Sequence, residues 1–438
     1  MPVLINTKNL FHSFLLILLF IGCIFTDLPL GDKTVLHSPM ILIATSVFIV
    51  LLISNGFKLN LTKNLRVFLV YLIITFINSL LLILGVIFIK GDIEVFGTNL
   101  LIKNFEAFIS LTLLHFFVYY NFVNVFRMVR FKFIKSFIIF TFMFLSCVAF
   151  IEYLNPKLID FFHSAPKEYD RLRLLSSEPS QAILVYAIFG ILSISLVKDK
   201  LSKILSILVF ITVIYLIQSK GFFISLFLAT MFTFFTYKKN WFRLRTSVII
   251  FLMTIFSVYG LFNIAIPAIL LDIENFSSFS TRLSGIISLF LILIKFPIGL
   301  GYGTYLYLYP DILDKSYTIA NNFFINHFGI TLSYVEIKNM ISTGINLGAK
   351  AGIPQSIMFN GWLGVLFWAI VFYNTFKLLS NRNIFNKFTV NELYFRFLTW
   401  VMFFQLLYGS DYALLYVIWI PFALIEVLNK KEAYNEKT

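Results

Sequence analysis

The sequence predicts an all-α, polytopic integral membrane protein. About twelve transmembrane helices form a single membrane domain over residues 1–438, with a long outer loop between spans nine and ten. Three observations predict it. Of the 438 residues, 59% are hydrophobic and only 13% charged, against about 25% charged in a soluble domain; mean hydropathy is +0.90. Apolar windows of about 20 residues recur along the chain, the length a helix needs to cross a hydrocarbon core of about 30 Å. Basic residues fall on alternate connections between these windows. A membrane β-barrel would show short alternating segments instead.

The first apolar run follows Lys8 and resembles a signal peptide, but no small-residue cleavage site follows and "TDLPLGDK" reads as a loop. It is therefore the first span, at 10–26. Further spans are expected at 39–57, 66–89, 104–126, 136–155, 178–197, 204–218, 221–236, 246–266, 357–376, 395–409 and 412–428. Fifty-five Phe and 21 Tyr suit lipid-facing and interfacial positions. Cys23 and Cys147 lie inside spans and form no metal pattern.

The net charge of +14 would suit a nucleic-acid binder, but its distribution does not. One side of the layout, including Lys8, Lys58, Arg127, Lys198, Lys238, Lys377 and Lys430, carries 22 of the 35 basic residues against five acids. The positive-inside rule places that side, with both termini, in the cytoplasm. The basic excess is a topology signal and a contact for anionic lipid. No nucleic-acid partner is expected.

Two outer connections are long. One covers 156–177. The other covers 267–356, far beyond ordinary loop lengths, and such loops are usually functional. Within it "SGIISLFLILIKFPIGLGYG" holds an apolar run of about 12 residues, broken by Lys295 and Pro297. That length suits a short re-entrant or interfacial helix. "PQSIMFNGWLGVLFW" then re-enters the membrane.

Charged residues at the outer ends of spans carry the functional reading. In "EYDRLRLLSSEPSQAILVY", Ser176 or Ser177 is the expected N-cap and Pro179 suits the first helical turn. Glu178 complements the helix dipole there. Arg171 and Arg173 suit bidentate phosphate recognition, with head-group anchoring as the alternative. In "IYLIQSKGFFISLF", Lys220 interrupts an apolar hairpin, which is costly unless the amine snorkels or has a partner. Arg282 opens the short helix of the long loop, with Asp272 or Glu274 as local ion-pair candidates. Gly299, Gly301 and Gly303 follow Pro297 and allow sharp turns; no strand precedes them, so they are not a dinucleotide loop. His12 and His115 lie inside spans, His37 and His163 in outer loops, and His327 in the long loop. Tyr302, Tyr305, Tyr307, Tyr309 and Tyr317 suit either sugar stacking or an interfacial belt. No HExxH, Cys/His cluster or paired-carboxylate motif occurs, so neither a metal site nor a cofactor is expected.

Four outer cations remain: Arg171, Arg173, Lys220 and Arg282. Converged, they would form a positive pocket suited to a lipid-linked diphosphate, placing charge where the leaving group becomes negative.

At these residues the chain resembles the bacterial O-antigen polymerase (Wzy-type) and O-antigen ligase membrane glycosyltransferases. "RLRLLSSEPSQA" resembles the Arg and Glu-Pro-Ser signature of the polymerases. "QSKGFFISL" resembles their Ser-Arg-Gly hairpin, with Lys220 in place of arginine. "TRLSGIISLFLILIKFPIGLGYGTY" and the later "NGWLGVLFW" resemble their Arg and Pro-x-Gly-x-Gly loop and the Gly-x-x-Gly span. The resemblance implies a metal-independent glycosyltransferase of the plasma (inner) membrane. It would move an undecaprenyl-diphosphate-linked glycan onto a lipid-linked oligosaccharide, a repeat-unit polymerase. Arg171 or Arg173, Lys220 and Arg282 would hold the diphosphate. Counting back from Gly361 to the place where the ligases carry a histidine gives Lys350, which counts against the ligase. The catalytic base is then open among Glu178, His327 and Lys350. A ligase and a non-enzymatic flippase of the same lipid-linked sugar are the alternatives. Membrane lipids and a chain-length regulator complete the expected partners.

Overall fold

The computed structural model describes residues 7–29, 39–91, 93–164, 171–236, 251, 254–267, 278–380, 392–410 and 414–435. Asp272, Glu274, His37 and the basic residues of 237–250 and 381–391 lie outside these. In chain order the helices are α1 Thr7–Ile24, α2 Met40–Ser54, α3 Lys63–Lys90, α4 Leu100–Phe108, α5 Leu114–Met128, α6 Phe131–Leu154, α7 Pro179–Leu196, α8 Lys200–Ile217, α9 Lys220–Thr236, α10 Thr254–Ala265, α11 Ser278–Lys295, α12 Tyr305–Phe328, α13 Val335–Thr343, α14 Gly352–Asn360, α15 Trp362–Leu379, α16 Glu392–Phe404 and α17 Trp419–Asn435. A two-stranded hairpin pairs β1 Glu94–Val95 with β2 Thr98–Asn99.

The chain is an all-α membrane protein. Among the described residues six helical stretches are long and apolar enough to cross a bilayer: Lys63–Ile89, Leu100–Met128, Phe131–Leu154, Pro179–Leu196, Lys200–Ile217 and Trp362–Leu379. α1, α2, α9, α10 and α17 are shorter apolar helices. Leu100–Met128 runs through a π turn at Ile109–Leu113 that joins α4 to α5.

Local chemistry sets the helix ends. Thr62 Oγ1 accepts the Leu65 amide at the start of α3, Asn99 caps α4, and Asp199 Oδ2 accepts the Ser202 amide on α8. Each satisfies an amide that has no partner inside the helix. At α7 the outcome differs from the expectation. Pro179 takes the first helical position, so Glu178, not Ser176 or Ser177, stands at the N-cap. Its side chain does not cap the helix; its carbonyl accepts from Gln181 and Ala182.

α7 is the hub. Its residues from Gln181 to Leu196 are all buried, and α6, α8, α9 and α16 pack around it. Gly190 admits the Phe210 ring from α8, where a Cβ would sit 2.4 Å from a ring carbon. A helix that is apolar all round is stable only when neighbours surround it.

The region 267–356 departs most from expectation. The short run foreseen there is the 18-residue α11, and it pairs with the 24-residue α12. Residues 296–304 join them and press against a break between α14 and α15, where one continuous span was expected. Gly361 forms that break at φ 55° and ψ −131°. The Trp362 amide donates to the Pro297 carbonyl, and the Leu300 and Gly301 amides donate to Met358 and Phe359. A Cβ on Gly361 would lie 2.2 Å from the Pro297 oxygen. Irregular backbone inside a membrane protein is tolerated where such partners satisfy its polar groups.

Candidate functional site

The Tyr408–Ser410 turn, at the end of α16, gathers four elements. Gln405 Nε2 donates to Ser410 Oγ at 2.8 Å, and that hydroxyl donates to the Ser180 carbonyl in the first turn of α7. The Gly352 amide at the start of α14 donates to the Ser410 carbonyl at 3.0 Å. Gly221, second residue of α9, packs closely on Gly409. From α11, Arg282 Nη1 donates to the Tyr408 carbonyl at 2.9 Å and the Gly409 carbonyl at 3.3 Å. The guanidinium also lies 5.7 Å from the centre of the Tyr408 ring. Helix starts of α7 and α9, the beginning of α11 and the end of α16 therefore meet at one end of the bundle.

Three of the expected cations converge here. Arg282 and Arg171 both lie close enough to act electrostatically on the Lys220 ammonium. All three side chains are partly buried. Like charges gathered this way repel one another, and an anion placed among them would be attracted to all three.

Arg173, two residues from Arg171, goes elsewhere. It is 5% exposed, and its Nη2 stands 3.7 Å from Asp160 Oδ1. The amides of Arg173 and Leu174 donate to Glu152 Oε1 and Oε2 at 3.0 and 2.8 Å. Just beyond, His163 Nδ1 meets Asp27 Oδ2 at 2.7 Å, with the His163 side chain fully buried. Ser164 Oγ donates to Asp27 Oδ1 at 2.6 Å. Burial works against ionising Asp27, but the hydrogen bonds from His163 and Ser164 and the charges of His163 and Arg173 outweigh it and hold its carboxyl below the usual range. Arg173 thus clips the 171–178 segment to a set of carboxylates, and the same segment delivers Arg171 to Lys220.

The expected base residues separate. Glu178 is exposed and accepts from its own helix, from Ser180 Oγ at 3.1 Å. His327 is exposed near the end of α12, its Nδ1 2.9 Å from the Phe323 carbonyl and its ring stacked on Phe323 at 4.4 Å. Lys350 lies beside α11: its Nζ is 3.9 Å from Glu336 Oε1, and Glu336 Oε2 accepts from Thr281 at 2.8 Å. Glu336 was not singled out by sequence; a lone acid in a polar loop carries no spacing signal.

The tyrosines also divide. Tyr302, Tyr305 and Tyr309 are buried, with the Tyr302 hydroxyl 2.6 Å from Thr112 and the Tyr309 hydroxyl 3.2 Å from Ser288. They pack the loop against the bundle and present no face to sugar or to an interfacial belt. Tyr317 is half-buried and donates to the Leu332 carbonyl, and Tyr307 is exposed. A second polar set escaped the sequence. Asn360 Nδ2 donates to the Tyr71 and Tyr302 hydroxyls, and Tyr71 also meets Ser356. Glu426 is buried near Thr62, Tyr119 and Arg127. Among the described residues no group of three His, Cys, Asp or Glu is placed to hold a metal ion.

The fold and site define an all-α membrane protein with a cluster of three cations where the starts of α7, α9 and α11 meet the end of α16. No family model, curated protein or solved structure matches the chain.

Proposed function

We propose that the protein is a polysaccharide repeat-unit polymerase of the bacterial plasma (inner) membrane. It transfers an undecaprenyl-diphosphate-linked glycan onto a lipid-linked oligosaccharide at the outer face. In this reading about twelve spans place both termini in the cytoplasm and the cluster outside. One observation supports the proposal: Arg171 and Arg282, more than 100 residues apart in the chain, both come within electrostatic reach of Lys220. A diphosphate is the anion such a cluster suits, being multiply charged and rich in acceptor oxygens. Two guanidinium groups offer planar, directed donors and the ammonium a point charge. As the glycosidic bond breaks, charge builds on the departing diphosphate, and fixed cations stabilise it without reorganising.

The test is a gel of surface glycan from cells lacking the protein and from cells carrying Arg282→Ala. Loss of long chains with a single repeat still attached supports the polymerase. Loss of all surface glycan refutes it in favour of a ligase or a flippase.

A further inference from the structure

In the polymerase reading the three cations clamp the leaving group, but glycosyl transfer also needs a group to take the acceptor's proton. We propose that Glu336 is that general base; this rests on the polymerase reading. Glu336 lies in the first turn of α13. Its Oε2 accepts the Thr281 hydroxyl at 2.8 Å, and Thr281 is the residue before Arg282 on α11. Its Oε1 faces Lys350 Nζ at 3.9 Å. Ser280 Oγ, one residue earlier, donates to the Ser333 carbonyl at 2.6 Å and ties the approach to α13 onto the start of α11. From α13 the carboxylate is therefore tethered to the turn of α11 that carries Arg282, and its side chain is 31% exposed.

Position and chemistry agree. In a displacement at the anomeric carbon, the base works on the side away from the leaving group. It must stand near the clamp without sitting in it. Thr281 puts Glu336 one residue away from Arg282, whose guanidinium turns to the Tyr408 and Gly409 carbonyls. Other described acids have different engagements: Glu178 faces its own helix, Glu152 grips the Arg173 and Leu174 amides, and Glu106 lies 3.5 Å from Lys103.

The step balances. The acceptor oxygen forms a bond to the anomeric carbon as its proton passes to a Glu336 carboxylate oxygen. The bond from that carbon to the diphosphate oxygen breaks, and its electron pair leaves with the diphosphate, stabilised by Arg171, Lys220 and Arg282. The products are the extended glycan and free undecaprenyl diphosphate.

The experiment compares wild type, Glu336→Gln and Glu336→Ala as purified full-length protein, with undecaprenyl diphosphate as binding probe. Chain extension is followed with lipid-linked oligosaccharide extracted from the host membrane. Positioned proton transfer contributes roughly 10²–10⁴-fold, so Glu336→Gln should lose at least about 100-fold in turnover with its Kd for undecaprenyl diphosphate within about twofold of wild type. Added formate should restore part of the activity of Glu336→Ala, which a structural role would not allow. Extension by Glu336→Gln within a few-fold of wild type overturns the assignment, as does absence of formate rescue in a folded Glu336→Ala. Failure of the polymerase reading looks different: wild type then extends no chain, or Arg282→Ala binds undecaprenyl diphosphate as tightly as wild type.

Discussion

Replacing Lys220 by Gln should relieve a repulsion among three cations while weakening the hold on diphosphate that the polymerase reading requires. Lys220 is half-buried and lies within electrostatic reach of Arg282 and Arg171, so its charge opposes two others. Two unit charges separated by one physiological Debye length, about 8 Å, repel by roughly 2 kcal/mol at an effective dielectric of about 20. Partial exposure screens that strongly, leaving about 1 kcal/mol for both neighbours together. Gln keeps most of the stem and a polar head, so packing on the Gly221–Gly409 contact is preserved. Relief of that repulsion is by itself worth about 1–3 °C of unfolding temperature in detergent at low salt, since 1 kcal/mol moves a chain of this size by a few degrees at most. The gain should shrink in high salt, where the Debye length falls to about 3 Å at 1 M. Loss of one charge-assisted hydrogen bond, about 1.5–3 kcal/mol, should weaken undecaprenyl diphosphate binding about 10- to 100-fold. The assay is thermal unfolding with and without the lipid. A variant that melts lower than wild type and binds the lipid equally well would refute the clustering of charge from which the site is inferred.

Other outcomes follow from the same geometry. Arg282→Lys keeps the charge but cannot span both the Tyr408 and Gly409 carbonyls; it should lose about tenfold in diphosphate affinity, and Arg282→Ala about 100-fold, by titration calorimetry. His163→Ala removes the imidazole from the buried Asp27 carboxylate but leaves the Ser164 hydrogen bond, and should cost about 1.5–3 kcal/mol, seen as a lower unfolding temperature. Because the Asp27 pKa is depressed, its contribution is present above the usual carboxylate range and lost as pH falls through the lowered value. Acid should therefore destabilise wild type more than Asp27→Asn, as measured by unfolding between about pH 7 and 3. Gly361→Ala forces a Cβ to 2.2 Å from the Pro297 oxygen at a positive φ; it should cost at least about 3 kcal/mol and reduce the yield of folded protein from membranes.

The sequence by itself determined the class of protein and the places of its apolar helices. Both follow from local quantities: the length of an apolar run and the residues at its ends. Among the described residues six of the expected spans overlap a helix long and apolar enough to cross a bilayer, and shorter apolar helices lie at the first, second, eighth, ninth and twelfth. The tenth is divided, because Gly361 owes its conformation to Pro297 and Gly299, more than 60 residues earlier, and no local pattern encodes that contact. The cations were legible for a related reason: a charge at the end of an apolar span stands out wherever its partners lie. Where those side chains go was decided by tertiary structure alone. Arg171 and Arg173 are chemically equal in sequence, yet a chain turn through Leu174, at φ 52°, and the grip of Glu152 send one to Lys220 and the other to Asp160. Glu336 was invisible for the opposite reason, since a carboxylate in a polar loop acquires meaning only when folding sets it beside Thr281. Local chemistry chooses which segments enter the membrane, whereas the meeting of groups far apart in the chain depends on how those segments pack.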